Sequence, residues 1–401
     1  MGQRHKENRL LAVEQERINL HANEPLTPED SSDGDKLNMK QGAGIMRKYY
    51  QNYRIDESDQ EVVILYYFGD EESVIVPNEI HGKPVTAIAD EAFLSAGNPF
   101  LRDVSRKVCQ KSLKHIKLPS TLKHLNNALI YCLELETIRI PASLETISNR
   151  CFTQCRKLRQ IDVDDKNRFY SSRDGVLYSR DGKRLIQFPM RKKTVPSDVL
   201  DGVTVIGNQA FSNCEALTEI VIPESVQSIE YSAFCNCSML ETVQMHPNIV
   251  LNGSGHFDNC VRLSDIMFFN SESVVPYGCF SNCKALRKIN FGSTIKTIAE
   301  HAFFGSGLQE IAIPDKTKKI LSGAFCQCLD LKKVIIPKTV SYISNSAVFS
   351  GCGIAETDED PVYYGRGHDR DAACTFYVHP DSAGEKYCIE NNYIYTTRTD
   401  L

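Results

Sequence analysis

The chain has 401 residues, with 46 lysines and arginines against 51 aspartates and glutamates. A net charge of -5, with both signs mixed along the chain, gives no field that would recruit nucleic acid or a strongly basic partner. No apolar run reaches the ~20 residues of a membrane helix, so membrane insertion is not expected. Residues 1–45 are polar, with a short helical pattern at Leu10, Leu11, Val13 and Ile18, then a linker-like stretch from Glu24 to Asp35. Glu14, Glu16 and Arg17 interrupt the only stretch that could serve as a secretory core. The expected location is therefore cytoplasmic, the alternative being the cell surface by a route the sequence does not display.

Residues 46–92 read as capping strands leading into a first coil. Val62, Ile64 and Tyr66 alternate, Val74 to Val76 is extended, and Ile80 to Ile88 runs into Ala92 and Phe93. From there to 352 the chain repeats. Ten coils are anchored at Phe93, Leu129, Phe152, Phe211, Phe234, Phe257, Phe280, Phe303, Phe325 and Phe349, most of them 23 residues apart. The frame is A-F-x-x-C-x-x-L-x-x-I-x-I-P, complete from Ala210 to Pro223. A fixed period of this length means one supersecondary unit stacked many times, and such a stack has no closed core to shelter chemistry. The expected fold is a mainly β repeat solenoid.

Two intervals are longer than one period. The stretch from Phe93 to Leu129 carries extra residues near Gly97 to Cys109. The stretch from Phe152 to Phe211 holds alternating strands with two Asp-Gly turns, Asp174-Gly175 and Asp181-Gly182, which is the signature of a hairpin. The hairpin, about 165–195, is expected at the edge of the solenoid. Residues 353–401 form a C-terminal cap: a charged loop, a strand near Thr375 to His379, a short helix and a last strand.

Eight of the fifteen cysteines (Cys132, Cys155, Cys214, Cys237, Cys260, Cys283, Cys328 and Cys352) fall three residues after an anchor. They predict an inward ladder of reduced thiols acting as small apolar fillers. Pairs such as Cys235 with Cys237, or Cys279 with Cys283, include a ladder cysteine already committed to the interior, so neither a metal site nor any other cofactor is expected. No G-x-S-x-G elbow, H-E-x-x-H helix or phosphate-binding glycine loop is present, which argues against an enzyme.

The segment Ile206 to Pro223 closely resembles the BspA-type leucine-rich repeat of bacteria, and the stretch Val74 to Phe93 and the insert around Asp174 to Lys183 are similar to recurrent features of that family. The resemblance spans roughly 50–395. It implies a leucine-rich-repeat coil stack with a strand-pair N-cap, an inserted β-hairpin and a short helix-strand C-cap. It also implies a non-enzymatic protein, some relatives being surface adhesins. The expected function is protein recognition by a non-catalytic module, the alternative an adhesin or antigen binding host or neighbouring-cell proteins. The candidate partner-binding face is the outward side of the I-x-I strands: Lys117, Arg139, Asp162, Glu219, Gln244, Asp265, Lys288, Glu310 and Lys333. The hairpin, with Tyr170, Tyr178 and Phe188, is a second candidate surface, the alternative being that its aromatics pack back on the coils. The partner is expected to be a protein.

Overall fold

A computed structural model describes residues 48–94, 113–192, 195–268, 270, 272–292, 295–352 and 374–401. The polar arm at 1–45, the extra residues near 97–109 and the charged loop at 356–371 lie outside the described residues.

Each 23-residue period makes one coil, and each coil gives two short strands that pair in parallel with their equivalents above and below. The I-x-I segments form the long-strand ladder. Thr137–Ile140 pairs with Gln160–Val163, and Glu219–Val221 pairs with Thr242–Gln244, in register and one period apart. The V-x-x-I segments form a second ladder, with Ser228 opposite Val250 and Thr297 opposite Lys319. Alternation along each I-x-I strand puts the first and third residues outside and the isoleucines inside. Ile138, Ile161, Val243 and Ile266 are accordingly buried.

The A-F-x-x-C segment turns the chain between the two ladders with two left-handed residues per coil. One lies just before the cysteine, at Asn213, Asn236, Asn259 and Asn282, with φ of 57–61°. The other lies just before the alanine, at Gln209, Ser232 and His301, with φ of 51–54°. Asparagine tolerates this region better than most side chains, which is why the Asn-Cys pair recurs. These residues stack the turns directly: Asn236 N–H donates to the Asp258 carbonyl at 2.8 Å, and Asn259 N–H to that of Ser281 at 2.8 Å.

The anchor rings fill the interior. Phe188, Phe211, Phe234, Phe257, Phe280, Phe303, Phe325 and Phe349 form a continuous stack with centroids 5.0–5.6 Å apart and planes 1–23° from parallel. All eight are fully buried. Burial of each ring contributes about 2 kcal/mol, and stability is thus shared along the coils rather than held in one centre.

Phe188 corrects the sequence reading of the insert. It lies 23 residues before Phe211 and serves as an eleventh anchor, not as a surface aromatic. Tyr178 is buried too and donates its hydroxyl to the Val199 carbonyl at 2.9 Å. The insert is a three-stranded meander, Tyr170–Arg173, Val176–Ser179 and Arg184–Gln187, whose last strand pairs in parallel with Val205–Ile206 and so joins the second ladder. Tyr178 and Phe188 therefore belong to the core, and Tyr170 packs against it partly buried. Buried residues separate into one cluster from Tyr53 to Ile161 and another from Val176 to Cys388, with Leu177 in the first.

Both described ends are covered. At the N-terminal end three antiparallel strands stand where a pair was expected, Lys48–Tyr50, Tyr53–Glu57 and Val62–Tyr67, the third lying parallel to Lys83–Ile88. The alternation of this third strand breaks at its end: Tyr67, not Tyr66, is buried, and its ring meets those of Tyr53 and Phe93. At the C-terminal end Thr375–Val378 and Ile394–Thr397 extend the long-strand ladder beyond Lys333–Ile336. The helix Ala383–Glu390 opens with a reciprocal cap: Ser382 Oγ accepts from Glu385 N–H at 3.2 Å, and Glu385 accepts from Asp381 N–H at 2.7 Å. Phe376 ends the ring stack by meeting Phe349 edge-on at 5.0 Å.

Candidate functional site

Parallel pairing converts the outward positions into two columns. Beyond the insert, one column is charged or hydroxylic: Glu219, Thr242 and Asp265 face one another across neighbouring strands. Lys288 continues this column, as the pairing of Met267 with Asn290 requires, and Glu310, Lys333 and Thr375 complete it. The other column carries no charge: Val221, Gln244, Met267, Asn290, Ala312, Ile335 and Tyr377. Val221 and Met267 are 61% and 52% exposed, large apolar groups with nothing over them among the described residues. Before the insert the same two positions hold His115, Thr137 and Gln160 beside Ile75, Lys117, Arg139 and Asp162.

The nine sequence candidates are thus not one site. Lys117, Arg139 and Asp162 form a short column on the first ladder, where Arg139 is held by Asp164 at 3.3 Å. Glu219 and Gln244 lie in different columns. Lys288, Glu310 and Lys333 are brought together with Ser264, Ala285, Arg287, Gln309 and Lys332 around an open cleft of about 360 Å³. Arg287 and Lys332 escaped the sequence reading because they flank the strands instead of lying on them; their proximity exists only across coils.

This cleft sits at a break in the long-strand ladder. Asn290–Phe291 ends one four-stranded ladder and Glu310–Ala312 begins the next. The coil between them is one residue short, with Phe303 and Phe325 22 apart and Phe304-Gly305-Ser306-Gly307 replacing the usual x-N-C-x-x. A Cβ on Gly307 would lie 2.0 Å from the Lys284 carbonyl oxygen, so only glycine permits this close approach. Arg287 reaches over the short coil to donate to the Gly307 carbonyl at 3.2 Å and to pair with Asp330. Lys288, Lys332 and Lys333 have no carboxylate within 4.0 Å among the described residues; the Lys333 ammonium lies 5.7 Å from the Tyr377 ring centre.

The thiols form the inward ladder, and most are chemically muted; Cys328 differs, because its burial is outweighed by hydrogen bonds from Cys352 and Ser306, which lower its pKa. Burial pushes Cys214 up to about 12 and Cys155, Cys237 and Cys283 well above the ordinary thiol range. A thiol held in that range carries little nucleophilic thiolate near neutrality. Among the described residues no group of three or more His, Cys, Asp or Glu is arranged to hold a metal ion. No helix among them is long and apolar enough to cross a membrane.

Stacked coils with in-register parallel strands, an asparagine-cysteine turn and an aromatic spine define a leucine-rich-repeat solenoid. The sequence profile of the BspA type leucine rich repeat region matches in six copies, over residues 107–174, 192–275 and 253–358. The chain belongs to that family. Among solved structures it is similar to a leucine-rich repeat protein from Eubacterium ventriosum, at 20% identity and a TM-score of 0.56, covering 82% of this chain and 99% of the other. It also matches a leucine rich cell surface protein from Faecalibacterium prausnitzii (19% identity, TM-score 0.33, 79% and 96% covered). The pneumococcal vaccine antigen PcpA matches at 15% identity and a TM-score of 0.43, covering 88% and 98%. At these identities the likeness is one of fold. Comparison with curated proteins gives no significant match.

Proposed function

We propose that this protein is a non-catalytic recognition module that binds a protein partner on the outward face of its long-strand sheet. The observation that carries this reading is the uncharged column from Val221 to Tyr377, lying beside a charged one, each in register on either side of the break after Asn290. Exposed apolar groups such as Val221 and Met267 beside a charged column match the build of protein interfaces, with desolvated contacts at the centre and polar pairs at the edge. The burial and raised thiol range of Cys155, Cys214, Cys237 and Cys283 support a non-enzymatic role. Family membership supports it as well, since leucine-rich repeats commonly serve as binding surfaces.

Affinity capture from native lysate tests the reading, comparing the wild-type protein with a Val221→Glu, Met267→Glu variant. Both residues point outward and the fold does not depend on them. Loss of one or more captured proteins is the expected result; an identical set with both baits would contradict it. The adhesin alternative differs in location, not in the face used. Degradation by protease added to intact cells would select the surface, and protection would select the interior.

A further inference from the structure

Between 284 and 338 the sequence holds ten lysines and arginines against four aspartates and glutamates, although the whole chain is net negative. The fold gathers four of these cations, Arg287, Lys288, Lys332 and Lys333, around the cleft at the short coil, with Glu310 as the one carboxylate in its lining. Arg287 is engaged by Asp330, whereas the three lysines lack such partners among the described residues. The geometry points to an acidic, extended polypeptide segment of a partner protein as the occupant of this cleft. The inference deepens the proposed function and rests on the reading that this sheet face binds protein.

The spacing narrows the segment. Gln309 N–H donates to the Arg287 carbonyl and Lys332 N–H to the Gln309 carbonyl, both at 2.9 Å, which aligns Lys288, Glu310 and Lys333 across the break and sets the two lysines roughly 10 Å apart at ~4.8 Å per coil. An extended chain in the polyproline II conformation rises ~3.1 Å per residue with three residues per turn, so two carboxylates three residues apart lie on one side and span about the same distance. A Glu-x-x-Glu segment crossing the strands therefore places one carboxylate at each lysine. Residues between them meet Glu310, whose carboxylate accepts a backbone or hydroxyl hydrogen, and the uncharged neighbours Met267, Asn290, Ala312 and Ile335. Nucleic acid fits less well. Its evenly charged backbone needs a continuous positive path, and Glu310 interrupts this one.

The test is fluorescence anisotropy of a labelled Glu-Leu-Thr-Glu peptide titrated with the full chain at low and physiological salt. Two double variants are compared: Lys288→Glu with Lys333→Glu in the cleft, and Lys319→Glu with Lys338→Glu, exposed elsewhere in the same basic segment. Thermal melts establish that both remain folded. Binding that weakens with salt, falls at least tenfold in the cleft variant and is unchanged in the other is the expected result. Equal loss in both variants, or tighter binding of an oligothymidine that the cleft variant abolishes, overturns the inference. If the peptide does not bind while Met267→Glu still removes a captured protein, the cleft inference fails and the proposed function stands. If the peptide binds at the cleft while capture ignores Val221 and Met267, the cleft holds and the wider face does not.

Discussion

The sulfur of Cys237 lies 3.0 Å from the carbonyl oxygen of Phe211, one coil earlier. The same contact recurs from Cys260 to Phe234, Cys283 to Phe257, Cys328 to Phe303 and Cys352 to Phe325, at 3.1–3.2 Å. The anchor carbonyl already accepts from the cysteine N–H of its own coil, as Cys237 N–H does to Phe234 at 3.2 Å. The thiol supplies a second donor from the next coil. The repeat therefore selects a side chain that is small, apolar and a weak donor, a combination that cysteine meets.

Substitution at Cys237 should separate donor from filler. Replacement by serine keeps a donor and is expected to cost less than replacement by valine, which lacks one and adds volume beside a full ring stack. About 1–2 kcal/mol is expected for valine, from the lost hydrogen bond and overpacking. Serine already occupies the ladder at Ser306, within 3.3 Å of the Cys328 sulfur. Equal melting temperatures for the two variants would show the thiol to be filler alone.

Thiol titration of the folded protein tests the same ladder from outside. Thirteen of the fourteen described cysteines are buried, and the partly exposed Cys235 is pushed up to about 12 by burial and by the Asp258 carboxylate. Little reaction with a thiol reagent is expected from these fourteen before unfolding, and complete reaction after it. A fast-reacting cysteine among them, identified by mass spectrometry, would contradict the ladder.

His256 occupies the position where neighbouring coils carry Ala210, Ala233, Ala302 and Ala324. It is fully buried, with Nε2 3.1 Å from the Asn252 carbonyl and Nδ1 unpartnered. Burial lowers its pKa to about 4. The unfolded chain takes up this proton near pH 6.5 and the folded one only near 4, so stability falls as the pH drops between those values. The loss at pH 5 is about 2 kcal/mol from this residue. His256→Ala removes that component. Relative to wild type, the variant should gain about 2 kcal/mol in urea unfolding between pH 7 and pH 5; parallel pH profiles would refute the assignment.

Gly307→Ala should cost about 1–3 kcal/mol, because the new methyl meets the Lys284 backbone and neither side can yield without shifting a strand. The same shift should disturb the cleft above it. A variant with wild-type thermal unfolding would show that the short coil is not held by this contact.

The period carried most of the fold. Phe211, Phe234 and Phe257, spaced evenly and followed by cysteine, predict a stack that needs no further information. Phe188 escaped because Gln187 and Arg191 stand where the frame has alanine and cysteine, although its distance from Phe211 was readable. There the Phe188 carbonyl accepts from Gln187 Nε2 at 2.9 Å, a donor the frame does not anticipate. The candidate face was legible as a list of outward positions. Its division into a charged and an uncharged column depends on strand register, and the cleft joins Lys288 to Lys332 across 44 residues, a distance that no local pattern encodes.

Replacing Phe257 by alanine and following thermal or urea unfolding probes the stacked spine most directly. Its ring lies between Phe234 at 5.4 Å and Phe280 at 5.6 Å, with no exposure. A loss of about 3–5 kcal/mol is predicted from the cavity left between the two rings. Unchanged unfolding would mean that the rings do not stack, and the assignment of every outward position would fall with them.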